Sequence, residues 1–176
     1  MKFLNVFSKP KYMVNTVYLS RHGQSVYNTE NRIGGDSKLS NHGLTYPKKL
    51  FKFIKEGEQI NLLKIYTSKL KRTIQTVNLF SDNKYELEFL NEINAGDFEN
   101  MTYDYIKENN KEEYEKRKLD KFNYRYPHGE SYKDLQSRVI GIMKYLHQDF
   151  KNNQVSLIVA HNAVLRIIYG ILMNIP

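Results

Sequence analysis

Two histidines and two arginines, each set at the end of an apolar run, are the residues of this 176-residue chain best suited to chemistry. Val17-Tyr18-Leu19 gives way to Arg21-His22-Gly23, and the run ending Ser156-Leu157-Ile158-Val159-Ala160 gives way to His161. A third run, Leu62–Tyr66, is followed by Thr67-Ser68 and then Arg72 one turn later. Guanidinium groups grip phosphate oxygens bidentately and stay charged. A neutral imidazole is a competent nucleophile, and neighbouring arginines disfavour its protonation. Fixed cations and imidazole N–H groups also stabilise the charge spread over a phosphoryl group in flight. One histidine after a strand is commonly structural; two at one edge, each with arginines, read as a phosphoryl pocket. The leaving oxygen needs a proton, and Glu92, in the loop Asn91–Gly96, is the best-placed carboxylate. This chemistry requires no metal, no Asp/Glu cluster has metal-ligand spacing, and no cofactor is expected.

These residues meet only if the strands are parallel and end on one side. The first strand is expected over Val14–Ser20, the second over Leu62–Tyr66, a third over Tyr85–Leu90 and the last over Val155–Ala160. Between them lie helical patterns. One starts after a Ser40 cap and carries Leu44, Leu50, Phe51, Phe53 and Ile54 up to Gly57, with Pro47 early enough to be tolerated. Another opens at Thr67-Ser68 with Leu70, Ile74, Val77 and Phe80 on one face. Two short polar helices, Thr102–Glu108 and Lys111–Lys118, are expected over the site. A long helix after Gly129-Glu130-Ser131 carries Leu135, Val139, Ile142, Met143 and Leu146, and a last helix spans Ala163–Met173. Alternating strands and helices predict an α/β three-layer sandwich with a mostly parallel central sheet. Ligands of such sheets sit at the carboxyl ends of the strands. Gly23 is expected to let the backbone turn sharply there.

The length suits one domain with a proper core, over residues 14–176, preceded by an irregular arm over 1–13. Without cysteine there is neither a disulfide framework nor a thiolate metal site. No apolar run reaches the roughly 18 residues of a membrane span, and the N-terminal apolar segment is too short for a signal peptide. A cytoplasmic protein with no membrane partner is expected. Lys and Arg outnumber Asp and Glu by 27 to 19, a net charge of +8 that suits either a nucleic-acid surface or a pocket for a small polyanion. No basic stretch is interleaved with aromatics on a regular spacing, so the small polyanion is preferred over nucleic acid. The composition is silent on oligomeric state. Arg117, Lys118, Lys121 and Arg125, with Phe122, Tyr124 and Tyr126 among them, form a second basic stretch. It reads as a solvated face unless the ligand carries a second phosphate far from the first, whose binding energy would position the reacting one.

Arg21-His22-Gly23-Gln24-Ser25, Asn28, the RIGGDSKLS run at Arg32–Ser40, TSKLKRTIQT at Thr67–Thr76 and the late His161 resemble the histidine phosphatase, or phosphoglycerate mutase-like, superfamily. The longer phrases NEINAGDFENMTYDYI and KFNYRYPHGESYKDL are similar to its fructose-2,6-bisphosphatase branch, and the match runs from about Val17 to Arg166. The resemblance implies hydrolysis of the 2-phosphate of fructose 2,6-bisphosphate through a phosphohistidine, with a sugar phosphate as the small-molecule partner. It implies that His22 is the phosphorylated residue, that Arg21, Arg72 and His161 hold the phosphoryl group, and that Glu92 protonates the leaving 2-oxygen. It places Asn28 and Gly34 beside the 2-phosphate and Tyr103, Arg117, Lys121 and Tyr132 around the 6-phosphate. Asn162 and Arg166 would also contact the sugar phosphate. A broad-specificity phosphomonoesterase or a phosphoglycerate mutase built on the same core is the alternative.

The chain departs from that branch at several points. Gln24 stands where Glu is usual, Asn162 where the branch has the longer Gln, and His128, expected at the rim, where Lys is common. No G-x-x-x-x-G-K-[ST] loop occurs, so the kinase half of the bifunctional relatives is not expected here. Relatives continue through a further strand beyond Pro176, so a C-terminal edge element is expected to be lacking.

Overall fold

The computed structural model describes residues 4–5, 16–60 and 63–175, the first two by backbone alone. Five strands form one sheet: β1 (Leu4–Asn5), β2 (Thr16–Arg21), β3 (Leu63–Thr67), β4 (Asn83–Glu86) and β5 (Val155–Ala160), in the order β1-β2-β5-β3-β4. The last four are parallel, and β1 pairs antiparallel with β2, Leu4 opposite Val17. Two residues of the expected arm therefore extend the sheet edge; Val14 and Asn15, expected in the first strand, and Leu62, expected in the second, lie outside the described residues.

β5 sits in the centre and is buried from Ser156 to Ala160, as its unbroken apolar run requires. Its side chains alternate between two cores. Ile158 and Ala160 join Leu135, Val139, Ile142, Leu146, Val164 and Ile168 on one face of the sheet. Leu157 and Val159 join Leu50, Ile54, Ile65, Val77 and Phe80 on the other. These are the outer layers of the expected sandwich. A short helix, α1 (Val26–Thr29), follows β2. The second helical segment begins as a 3₁₀ turn, continues as α2 (Tyr46–Phe51) and widens to a π turn over Lys52–Gly57. Of its expected apolar face Leu50 and Ile54 are buried, whereas Leu44 is exposed.

Three expectations are corrected. The helix after β3, α3, spans Lys71–Thr76 and begins at a Leu70 cap, not at Thr67-Ser68. Its buried residues are Arg72, Thr73 and Thr76, while Leu70 and Ile74 are only half-buried. The third expected strand lies earlier, at the exposed edge β4, and Glu88–Leu90 is a 3₁₀ turn. The expected long helix is two, α6 (Tyr132–Val139) and α7 (Ile142–Lys151), which follow α4 (Tyr103–Asn109) and α5 (Lys111–Leu119). They part at Ile140-Gly141, where glycine weakens helix propagation. The last helix, α8 (Asn162–Leu172), begins directly after β5, with His161 as its cap residue. The register of β5 with β2 sets Arg21 opposite Ala160, which brings His22 and His161 to neighbouring strand ends. Among the described residues no helix is long and apolar enough to cross a membrane.

Candidate active site

The sheet delivers both histidines to one point: their rings lie 5.1 Å apart, centroid to centroid. His22 is 7% exposed, and its Nδ1 lies 2.6 Å from the Gly23 carbonyl. A carbonyl can only accept, so Nδ1 carries the proton and Nε2 is a bare lone pair. The Arg72 Nε–H donates to that Nε2 at 3.2 Å. Burial, with Arg72 and Arg21 nearby and against the pull of the Gly23 carbonyl, lowers the His22 pKa to about 3. The ring is therefore neutral over the working pH range. His161 is fully buried; its Nε2 lies 2.8 Å from Ser68 Oγ and its Nδ1 has no partner among the described residues. Burial and then Arg72 hold it well below the ordinary histidine range.

Arg72 is 4% exposed and donates from Nη1 to the Gly35 carbonyl at 2.7 Å. Among the described residues no carboxylate lies within ion-pair distance of it. Glu92, Asp36 and Glu99 act on its charge from beyond that distance; burying a guanidinium without a direct partner is costly, and an anion bound beside His22 would offset part of that cost. Helix α3 holds the arrangement from beneath. Thr76 Oγ1 accepts the Gly23 N–H at 3.0 Å and donates to the Arg72 carbonyl at 2.7 Å. Gly23 is needed for close packing: a Cβ there would come within 2.7 Å of the Gly43 carbonyl oxygen.

The loop of Gly34 and Gly35 is strapped to the Glu92 loop by Glu99, whose carboxylate accepts the N–H of Gly35 and that of Ala95. Gly34 has φ +64°, and a Cβ there would collide with the Glu99 carboxylate, so only glycine fits. Arg138 anchors the other loop by donating to the Glu92 carbonyl at 3.0 Å and the Phe89 carbonyl at 2.7 Å. Glu92 is half-buried. Burial raises its pKa despite the Ile93 N–H and the charges of Arg72 and Arg21. A carboxyl raised in this way can hold a proton to donate.

One cavity of about 430 Å³ opens over these groups, lined at its inner end by Arg21, His22, Arg72 and Glu92. His161 backs it from behind His22. Asn28 and Gly34 line one flank. Asn28 forms a capping box with Ser25, accepting the Ser25 N–H on Oδ1, which leaves its amide nitrogen as the donor toward a ligand. The far end is lined by Tyr103, Arg117, Lys121 and Tyr132, and the α8 side by Asn162 and Arg166. Arg117 donates to the hydroxyls of Tyr126 (2.7 Å) and Tyr103 (3.0 Å), and its guanidinium lies 5.0 Å over the Tyr103 ring. Lys121 lies over Tyr132. Burial, then the charges of Arg117 and Arg166, hold the Lys121 ammonium below its ordinary value. Among the described residues no carboxylate pairs with Arg117 or Lys121, and cations crowded in this way suit an anion.

Every residue expected to act in catalysis or to contact the sugar phosphate thus lines this cavity or, as His161, backs it. The rest of the basic stretch does not: Arg125 pairs with Asp134 at 2.5 Å, and Lys118 faces a neighbouring groove. His128 is not on the cavity wall; it pairs with Asp97 at the surface. Gln24 accepts from Ser40 outside the cavity. Sequence reasoning missed Tyr27, Asn31, Arg32 and Tyr126 on the wall, and the hydroxyls of Thr73 and Thr76 behind it. For the two threonines the only signal was polar letters on a helix that also carries Arg72. Among the described residues no three His, Cys, Asp or Glu side chains cluster as metal ligands.

Residues 17–176 match the histidine phosphatase superfamily, branch 1. The chain is 42% identical over 174 residues to the fructose-2,6-bisphosphatase of Saccharomyces cerevisiae, covering 98% of this chain and 36% of that protein. It is 41% identical over 161 residues to the 6-phosphofructo-2-kinase/fructose-2,6-bisphosphatase of Gallus gallus, covering 88% and 33%. The chain therefore spans about a third of the length of these relatives. Among solved structures, the alpha-ribazole phosphatase of Shigella flexneri superposes with a TM-score of 0.81 at 23% identity, over 91% of this chain and 80% of that one. Bacillus stearothermophilus YhfR superposes with a TM-score of 0.77 at 27% identity, over the same shares.

Proposed function

Since this chain belongs to the histidine phosphatase superfamily, branch 1, we propose that it hydrolyses the 2-phosphate of fructose 2,6-bisphosphate, releasing fructose 6-phosphate and phosphate. The observation that supports this most is a single cavity lined by two groups of cations: Arg21 and Arg72, whose charges act on His22, and Arg117 and Lys121, which stand among Tyr103, Tyr126 and Tyr132. A ligand with one phosphate needs only the first. The names of the relatives from Saccharomyces cerevisiae and Gallus gallus point to the same substrate.

In the proposed reaction the Nε2 lone pair of His22 attacks the phosphorus of the 2-phosphate. The bond from phosphorus to the sugar 2-oxygen breaks, and that oxygen takes the proton held by Glu92. Arg21, Arg72 and His161 hold the phosphoryl oxygens as charge gathers on them. Fructose 6-phosphate leaves, and the Glu92 carboxylate takes a proton from water as its oxygen attacks the phosphohistidine. Phosphate and the neutral His22 ring are regenerated, and Glu92 is again protonated. Tyr103, Arg117, Lys121 and Tyr132 grip the 6-phosphate, with Arg166 and Asn162 on the sugar-phosphate side and Asn28 and Gly34 beside the 2-phosphate. Remote binding energy then aligns the reacting end.

Product analysis tests the reading. Incubation with fructose 2,6-bisphosphate should give fructose 6-phosphate and phosphate at a kcat/KM well above that for simple phosphomonoesters. Release of the 6-phosphate instead, or equal rates on unrelated monoesters, would favour a broad-specificity phosphatase.

A further inference from the structure

His161 has two ring nitrogens in different circumstances: Nε2 is 2.8 Å from Ser68 Oγ, and Nδ1 has no partner among the described residues. Which of them carries the proton follows from counting hydroxyl protons behind the ring. Thr73 Oγ1 lies 2.8 Å from the Leu70 carbonyl oxygen, 3.0 Å from the Ser68 carbonyl oxygen and 2.8 Å from Ser68 Oγ. The two carbonyls can only accept, so the single Thr73 proton goes to them. Ser68 Oγ, which already accepts the Leu70 N–H at 3.2 Å, then gives its own proton to Thr73 Oγ1. With that proton committed, the contact between Ser68 and His161 is a hydrogen bond only when Nε2–H donates. The reverse order, Thr73 to Ser68 and Ser68 to Nε2, would set two carbonyl oxygens against a hydroxyl oxygen with no proton between them. Ser68 and Thr73 are both fully buried, so water does not rescue that arrangement.

We propose that Ser68 and Thr73 are positioning residues that hold His161 as its Nε2–H tautomer, leaving Nδ1 a bare lone pair that takes up a proton from solvent when a phosphoryl anion arrives. The proposal rests on the phosphoryl-pocket reading above. Burial first, and then the charges of Arg72, His22, Arg21 and Arg138, none of them an anion, keep the proton off His161 in the empty site. A bound dianion reverses that balance. The loaded ring then donates from Nε2 to Ser68 and from Nδ1 to a phosphoryl oxygen, a charged donor that strengthens as the transition state gathers charge.

The test is ¹⁵N NMR of the intact chain with labelled histidine, without and with saturating inorganic sulfate, a dianion that brings no proton near neutral pH. The empty protein should show the His161 proton on Nε2, and sulfate should protonate both nitrogens. Ser68→Ala should mix the tautomers and lower kcat on the order of 10- to 100-fold with KM little changed. Ser68→Thr, which restores the hydroxyl, should recover both. An Nδ1–H ring in the empty protein, a ring still neutral under saturating sulfate, or a Ser68→Ala variant with unchanged tautomer and rate would overturn the proposal. The tautomer and proton uptake need no turnover. Their appearance in a protein that fails to hydrolyse the bisphosphate would uphold this inference and count against the function proposed above.

Discussion

At the inner end of the cavity His22, Arg72 and His161 are 7%, 4% and 0% exposed, and each is tied to a carbonyl or a hydroxyl of the scaffold. At the outer end Tyr103 is 40% exposed, and Arg117 and Lys121 stand on α5 and the turn after it, held mainly by tyrosine hydroxyls and ring faces. The inner groups issue from strand ends and from α3, locked between two apolar cores. The outer groups Tyr103 and Arg117 ride on α4 and α5, beside a small cluster of Ala95, Phe98, Ile106 and Tyr126. The difference suits a division of labour. Bond making needs donors fixed in place and imidazoles kept neutral by burial. Gripping a remote phosphate needs only charge within reach, so longer and more exposed side chains serve.

The largest expected effect strikes the inner end. His22→Ala should lower kcat by at least ~10⁴-fold, because no other group takes the nucleophile's place; steady-state phosphate release measures it. Glu92→Gln should follow at roughly 10²- to 10⁴-fold in kcat. Glu92 must be protonated to donate, and its pKa is raised. Transfer to His22 should therefore slow as pH rises through that raised value, and the Gln variant should lose this limb in a rapid-quench pH profile.

The outer end should behave differently. Arg117→Ala or Lys121→Ala should raise KM for the bisphosphate about 10- to 100-fold, or roughly 1.4–2.8 kcal/mol, while rates on a small monoester stay unchanged. Equal losses on both substrates would erase the distinction between the two ends.

The smallest effect is on stability. His22 titrates near 3 in the folded chain and near 6.5 when unfolded, so below 6.5 the unfolded state binds the extra proton. Its contribution is fully present above pH 6.5 and is lost as pH falls toward 3, at up to about 1.4 kcal/mol per pH unit. Thermal melts at pH 7 and pH 5 should show a fall in Tm, smaller in His22→Gln. An equal fall in that variant would contradict the burial of a neutral ring.

The inner end was the more legible in sequence, because a central parallel strand writes itself as an unbroken apolar run, and Val155–Ala160 ends directly on His161. Edge strand β4 was hidden: its Asn83-Lys84-Tyr85-Glu86 is exposed throughout, and the apolar letters just downstream belong to a 3₁₀ turn. The buried face of α3 was misread because Thr73 and Thr76 are polar by letter, yet their hydroxyls are satisfied locally by backbone groups and so can be buried. The outer cations were visible only as a basic stretch. Nothing in its spacing separates Arg117 and Lys121 from Arg125, which an Asp134 partner draws away.

The most direct measurement is whether His22 carries the phosphoryl group. Protein quenched in turnover with substrate labelled in its 2-phosphate should hold label that survives alkali and is lost in acid, mapped to His22 and missing from His22→Ala. Turnover without such label, or label on another residue, would contradict the account.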